Sequence, residues 1–425
     1  MTKNLFNRFT IISGLVLALL IGTTSLKAED VNLTPTNTIR FVVRVPESTP
    51  KGAAIDISGS LEELGMWNSG LELQQDVDGL YRGSITTAAT GKMEFKVRRG
   101  GWANVEKNSN GEEIANRSAI IHDNTTINIS VEAWADEFAL AQSDKPSTVV
   151  GELIIHKDVK SEYLELSRTV RVYLPPNYEQ NKDAHYPVLY MHDGQNLFDQ
   201  RTSAFGNEWE VDENLVELVK AKKMEPIIVV GIDNSAMRSD EYTPTYWERY
   251  GAGGKGDAYA KFLITELKPF IDKTYRTKPE AQYTGTAGSS LGGLISLYLG
   301  TAYPDTFTRI GSVSPALGWD NNQIIRDFSE YKKTYLPHWQ KMRNWIDMGT
   351  LEGDTGGGGV CTVPLAEEVA QIFRNSNLRE NDQFKLFIAE NGLHNEPAWA
   401  KRIDKILMYL YPPTTANLQS VDQSQ

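Results

Sequence analysis

The 425-residue chain has one cysteine, Cys361, and six histidines. A single thiol closes no intramolecular disulfide and builds no zinc cluster, so the fold must be held by its core alone. Positive charge is also short. Lys and Arg number 43 against 55 for Asp and Glu, a net charge of -12. A chain of that sign repels phosphate backbones and presents no basic face to anionic lipid, so nucleic acid is not expected as a partner. Long apolar runs are scarce. Residues 11–22 form one, too short to span a bilayer and followed by polar chain. With Lys3 and Arg8 before it and Ala28 before Glu29 after it, residues 1–28 read as a cleaved secretory signal. The expected location is secreted or periplasmic, with no stable membrane anchor. Residues 414–425 read as a disordered tail.

What is present falls into two patterns. Residues 38–46 (TIRFVVRVP), 53–59, 79–85, 92–99 and 125–131 are short alternating or β-branched runs separated by Gly, Asn and Asp. That spacing predicts a small all-β sandwich over 36–134. Residues 135–149 lack a period, contain Asp144-Lys145-Pro146-Ser147 and read as a linker. From 150 to 413 strand-like runs alternate with amphipathic helices. The strands are 169–174, 187–191, 226–232, 282–287, 309–313, 345–348 and 384–389, and the helices include 212–223, 258–274, 291–303, 365–375 and 396–410. Runs such as 227–232 (IIVVGI) are apolar throughout, as suits strands buried on both faces. The fold class is therefore α/β, a mostly parallel sheet with helices on both faces, of the α/β-hydrolase type.

One motif carries chemistry. Gly288-Ser289-Ser290-Leu291-Gly292 matches G-x-S-x-G, with a predicted strand before it and a helix after it. The flanking glycines permit a sharp turn that lifts the Ser290 hydroxyl above the sheet edge. A serine hydroxyl needs a base, and the base needs an orienting carboxylate. In this fold the chain order is Ser, acid, His. Only His338 and His394 follow Ser290. His394 comes directly after strand 384–389 and is the expected base, whereas His338 follows no strand and reads as packing. The acid should follow strand 345–348. Glu352 is the choice, Asp354 the alternative, and Asp347 lies in the strand itself. Backbone N–H groups of Leu291 and of Gln195 (or Gly194) are the expected oxyanion donors. His192 precedes the acid and is expected to shape its loop. The glycine run 356–359 has no strand feeding it and no following Lys-Ser/Thr, so it is no phosphate cradle. Asp193, Asp199, Glu208 and Asp212 show no metal-ligand spacing, so no metal and no cofactor are expected.

The same stretch resembles a known family. Val172-Tyr173-Leu174-Pro175-Pro176-Asn177-Tyr178, the run 190–199 (YMHDGQNLFD), 240–244 (DEYTP), 266–271 (ELKPFI), 288–293 (GSSLGG) and Val313-Ser314-Pro315-Ala316 are similar to the esterase D family. That family includes feruloyl, acetylxylan and siderophore esterases and S-formylglutathione hydrolase. The resemblance implies ester hydrolysis through an acyl-enzyme without a cofactor. It implies substrate contacts for Asp193 and Trp209, the latter paired with Asp212 near the acyl pocket. The first domain resembles starch- and glycogen-binding modules through Leu64-Gly65-Met66-Trp67 and Glu94-Phe95-Lys96. That implies Trp67, Lys96 and Trp102 as glycan contacts, since aromatic faces stack on sugar rings. The expected function is a secreted serine carboxylic-ester hydrolase acting on a carbohydrate-linked (feruloyl or acetyl) or siderophore-type ester. The expected partners are that small-molecule or glycan ester and, through the first domain, a polysaccharide. A glycan-binding protein with an idle hydrolase scaffold, and an acyltransferase using the same three residues, are the alternatives.

Overall fold

The computed structural model describes residues 36–413, except 68, 112–113, 139–144, 204–205 and 355–359. The expected signal segment, the tail, the glycine run 356–359 and part of the expected linker lie outside the described residues.

Seven strands of the first part form one sheet: β1 (Asn37–Arg44), β2 (Ile55–Gly59), β3 (Leu71–Gln75), β4 (Tyr81–Thr87), β5 (Gly91–Arg98), β7 (Arg117–Ile121) and β8 (Thr125–Ser130). The two-residue strands β6 (Glu106–Lys107) and β9 (Ala133–Trp134) pair beside it. The order is β7-β5-β2-β3-β4-β1-β8. β1 and β5 stand apart in that order, yet the rings of Phe41 and Phe95 meet edge-on at 5.5 Å. The sheet therefore folds over itself, and alternate residues such as Ile39, Phe41 and Val43 of β1 turn into the space enclosed. Burying each Phe side chain contributes roughly 1.5–3 kcal/mol. Sequence reading finds five of these strands and misses β3 and β7, whose LELQQ and RSAII segments alternate exposed with less exposed residues.

The second part is built on eight strands: β10 (Glu152–Val159), β11 (Arg168–Leu174), β12 (Val188–His192), β13 (Ile228–Ile232), β16 (Thr284–Ser289), β17 (Arg309–Val313), β18 (Arg343–Gly349) and β19 (Phe384–Ala389). β14 (Tyr246–Trp247) and β15 (Ala252–Gly253) form a separate ribbon. The order is β10-β11-β13-β12-β16-β17-β18-β19. Only β11 runs against its neighbours on both sides, and every pair from β13 to β19 is parallel. Counting within this sheet, the order is 1-2-4-3-5-6-7-8 with the second strand reversed, the α/β-hydrolase arrangement. β12, β13 and β16 are buried along their whole length, because helices cover both faces. The strand missed from sequence is β10, an edge strand with no buried residue whose apolar run is only three residues long, Leu153-Ile154-Ile155.

Parallel strands end on one edge of a sheet. The turns after β12, β16, β18 and β19 are therefore brought together there, and they carry Gln195, Ser290, Glu352 and His394. Helix α1 (Val211–Lys220) follows β12, α2 (Leu291–Ala302) follows β16, and α3 (Ile403–Leu410) closes the chain. The helix expected over 396–410 is in fact two, Glu396–Ala400 and α3. Arg402 stands in the break with φ -132° and ψ 2°.

Candidate active site

Ser290 sits between β16 and α2 with φ 58° and ψ -120°. That region is unfavourable for a residue with a Cβ, and a strained serine between strand and helix is what the G-x-S-x-G turn produces. Neighbouring backbone forces the turn to use glycine. A Cβ on Gly293 would lie 2.6 Å from the Val313 carbonyl oxygen, and one on Gly288 would lie 3.0 Å from the Gly292 backbone. The Ser290 N–H donates to the Val313 carbonyl at 3.1 Å, and its carbonyl accepts from Ala316 N at 3.0 Å. The 313–316 turn is thereby fastened to the serine.

That turn reaches the acid. Ser314 Oγ donates to Glu352 Oε1 at 2.6 Å. The same oxygen accepts from Gly349 N at 2.7 Å and from Arg402 Nη2 at 3.2 Å. The second oxygen, Oε2, pairs with His394 Nδ1 at 3.0 Å. Glu352 is fully buried. Burial by itself would raise its pKa. The hydrogen bond and charge of His394, then Ser314 and Arg402, outweigh that and hold the carboxyl below its usual range. Arg402 also pairs with Asp347 Oδ1 at 2.9 Å, so two carboxylates share one buried guanidinium. Asp347 is thus engaged in the strand, with Oδ2 accepting from Trp345 Nε1 at 2.7 Å and Oδ1 from Ser314 N at 3.0 Å. The side chain of Asp354 lies outside the described residues. Trp399 meets the His394 ring edge-on at 5.1 Å and donates Nε1 to Ser314 Oγ at 2.9 Å. The imidazole is therefore fixed on one edge by a carboxylate and on its face by an indole.

The loop after β12 packs on the start of α2. A Cβ added to Gly292 would be 3.3 Å from His192 Cβ and 3.4 Å from Asp193 Oδ2. Leu291 is the first residue of α2, where first-turn N–H groups have no intrahelical acceptor. Gln195 is held in a one-turn helix, Gly194–Asn196, with its side-chain Oε1 accepting from Asn234 N at 3.2 Å. His192 is buried between Tyr259 OH (2.9 Å) and Thr286 Oγ1 (3.0 Å). Burial pushes its pKa down to about 3, so it stays neutral and shapes the loop.

Two expected ligand contacts are committed elsewhere. Asp193 is buried and forms a two-pronged pair with Arg238 at 2.7 and 2.8 Å, and Asn234 Nδ2 donates to it at 2.6 Å. Burial would raise its pKa, but the Arg238 charge and hydrogen bonds hold it below the usual carboxylate range. With both oxygens occupied it fixes the loop, in the left-handed conformation (φ 57°), instead of facing a substrate. Lys96 is 3 % exposed, with Nζ donating to the Ile114 carbonyl, so it is not presented to a glycan. Trp209 is buried and packs on Trp399 with centroids 5.6 Å apart, one ring removed from His394. Trp67 and Trp102, distant in sequence, are brought together at 6.1 Å. Trp102 is 37 % exposed and donates Nε1 to the Trp67 carbonyl, and Arg98 lies 5.0 Å over its ring. His338 is half-buried on the helix Trp319–Trp339 and pairs with Asp305 at 3.0 Å.

Sequence reasoning passes over Ser314, Arg402, Trp399 and Cys361. Cys361 is buried, and burial and then the Glu352 charge push its thiol well up, while the neighbouring Ser290 side chain acts the other way. The stretch 313–316 carried a family signal for Ser314; the other three had none. Glu208 and Asp212, set aside for want of ligand spacing, converge with Glu213 so that one oxygen of each lies within 4.8 Å of the others.

A strained serine between strand and helix and an imidazole held by a buried carboxylate at the same sheet edge define a serine hydrolase of the α/β type. A family profile described as Putative esterase matches residues 161–410, and the chain belongs to that family: it is a carboxylic-ester hydrolase. A second profile, Starch binding domain, matches residues 36–129. The chain is 26% identical over 268 residues to the uncharacterized protein YbbA of Bacillus subtilis, covering 61% of this chain and 98% of that one. It is 24% identical over 205 residues to the ferri-bacillibactin esterase BesA of the same organism, covering 44% and 67%. It is 28% identical over 159 residues to an endo-1,4-beta-xylanase/feruloyl esterase of Xylanibacter ruminicola, covering 36% and 20%. Among the described residues no helix is long and apolar enough to cross a membrane.

Proposed function

We propose that the protein is a secreted serine esterase that works through an acyl-enzyme on a carbohydrate-linked ester, feruloyl or acetyl. Ser290 attacks the carbonyl carbon while His394 takes its proton. Glu352 holds the imidazole in the tautomer that leaves the far nitrogen free to accept. The N–H groups of Leu291 and Gln195 stabilise the tetrahedral oxyanion. His394 then protonates the leaving alcohol, and water, activated by the same imidazole, releases the acid and restores the serine hydroxyl.

The observation that carries this reading is the 3.0 Å contact between His394 Nδ1 and the fully buried Glu352, at the sheet edge where the strained Ser290 stands. The substrate class rests on the starch-binding match, the Trp67–Trp102 pair, of which Trp102 is exposed, and the feruloyl esterase relative. The secreted location rests on the signal-like residues 1–28. A siderophore ester is the other class, supported by the BesA relative. A screen of aryl, feruloyl, acetyl and catecholate esters with the purified protein and its Ser290→Ala variant tests the proposal. Turnover of feruloyl or acetyl esters that Ser290→Ala abolishes is expected. Turnover confined to catecholate esters would replace the substrate class. Absence of turnover and of labelling by a fluorophosphonate would overturn the reading.

A further inference from the structure

Three carboxylates near the start of α1 take no part in the ester chemistry. Glu208 is 8 % exposed, Asp212 is fully buried, and Glu213 is half-buried. Glu208 and Asp212 each divide their oxygens. Glu208 Oε1 accepts from Thr148 Oγ1, and Asp212 Oδ2 accepts from Val150 N at 2.7 Å. Both contacts hold residues 148–150, the segment that leads out of the expected linker into β10. Among the described residues the other oxygens, Glu208 Oε2 and Asp212 Oδ1, are buried without a hydrogen-bond partner, and so is Glu213 Oε2. One oxygen of each of the three residues lies within 4.8 Å of one oxygen of the others.

Buried carboxylate oxygens without donors are costly, and three converging ones repel each other as well. Basic side chains of the adjoining strand and loop do not relieve them. Arg171 is committed to Asp233 and Arg201 to Asp199. We propose that Glu208, Asp212 and Glu213 bind a hard divalent cation of the calcium type, which ties the 148–150 segment to the first turn of α1. An all-oxygen anionic set suits calcium or magnesium, with water completing the shell, and offers neither the nitrogen nor the sulfur that zinc prefers. The separation, up to 4.8 Å, spans a cation with ligands on opposite sides at calcium–oxygen distances of 2.3–2.6 Å. Trp209 lies between the ligands in sequence and packs on Trp399, so the site is joined by two indole rings to the face of His394.

The test uses the full chain stripped with EDTA. Calcium is titrated in while the melting temperature is followed. Terbium is titrated separately, and its luminescence is read under tryptophan excitation, since Trp209 stands beside the ligands. At a hundredfold excess over Kd calcium should raise the melting temperature by roughly 5 °C. Terbium should give saturable sensitised emission that calcium displaces. Asp212→Asn and, separately, the half-buried Glu213→Gln should abolish both responses, while Glu217→Gln, on the exposed face of α1, should leave both intact. Two variants guard against one failing to fold. If wild-type protein shows no shift and no emission, or if both variants respond as wild type does, the proposal is overturned. Stability that falls as pH rises from 5 to 8 and ignores calcium would also overturn it. That is the sign expected when buried, unpaired carboxyls are neutralised by protons alone.

Discussion

Glu352→Gln keeps the volume of a fully buried side chain and removes its charge. Its Oε1 position accepts from Ser314, Gly349 N and Arg402, and its Oε2 position from His394 Nδ1. The glutamine carbonyl can serve the first set, which turns the amide NH2 toward His394. Nδ1 must then accept, so the ring carries its proton on Nε2, the atom that should take the Ser290 proton. A carboxamide in this role in a serine protease triad costs about 10⁴ in kcat, which converts to about 5.4 kcal/mol of transition-state stabilisation. A fall of about 10³–10⁴ in kcat with little change in KM is therefore expected. The stability cost should be smaller. Arg402 keeps Asp347 at 2.9 Å and is not left unpaired, so the loss is that of charge-assisted hydrogen bonds, about 1–3 kcal/mol. Steady-state kinetics on an aryl acetate, urea unfolding and a ¹⁵N spectrum of the His394 ring measure the three quantities. A kcat within tenfold of wild type, or a larger loss from Asp354→Asn, would refute the assignment of the acid.

Ser290→Ala should reduce turnover to background and abolish fluorophosphonate labelling, checked by mass spectrometry, with no more than a small change in melting temperature. Trp102→Ala should weaken retention on soluble starch about fivefold to tenfold, the loss of one stacking face at about 1 kcal/mol, and leave kcat on a small aryl ester unchanged. Lys96→Ala should instead lower stability, because its amine is buried on the Ile114 carbonyl. Asp193 and Glu352 both have folded pKa values below their ordinary 3.8 and 4.5. Their contribution to stability is therefore complete above those values and is lost as pH falls through the lower folded values. Arg238→Ala removes the Asp193 part, so its acid unfolding midpoint, followed by circular dichroism, should lie at higher pH than that of wild type. Cys361 should resist iodoacetamide in the native protein and react fully in guanidinium, because burial keeps it covered and in the thiol form.

The elements that frame the site were legible because their signals are short-range. The run before Gly288 is uncharged and holds two β-branched threonines, the turn needs its glycines, and the helix after it is uncharged and mostly apolar, so strand, bend and helix follow from about twenty consecutive residues. Glu352 and His394 were legible through chain order, each directly after a strand of the same parallel sheet. β10 was not, because an edge strand without a buried residue has only the short apolar run Leu153-Ile154-Ile155 to mark it. Arg402 was hidden inside what reads as one continuous amphipathic helix; in the fold it stands in a break, with its guanidinium on Glu352 and Asp347. Asp193 and Lys96 show the opposite failure. Their residue types suggest ligand contact, yet Arg238 and the Ile114 carbonyl already occupy them.

By itself the amino-acid sequence determined the two-part organisation, the alternation that makes the sheet parallel, and the serine, carboxylate and imidazole stations along it. Backbone-local constraints of period, turn and strand order fix these, and they act over a few residues. Only the tertiary structure decided which charged groups are neutralised within the protein and which converge without a counter-charge. Asp193 found Arg238 across 45 residues and Glu352 found His394 across 42. Glu208, Asp212 and Glu213 found one another and the segment 148–150. Partners of a buried charge come from wherever the chain returns, and no local pattern records that return.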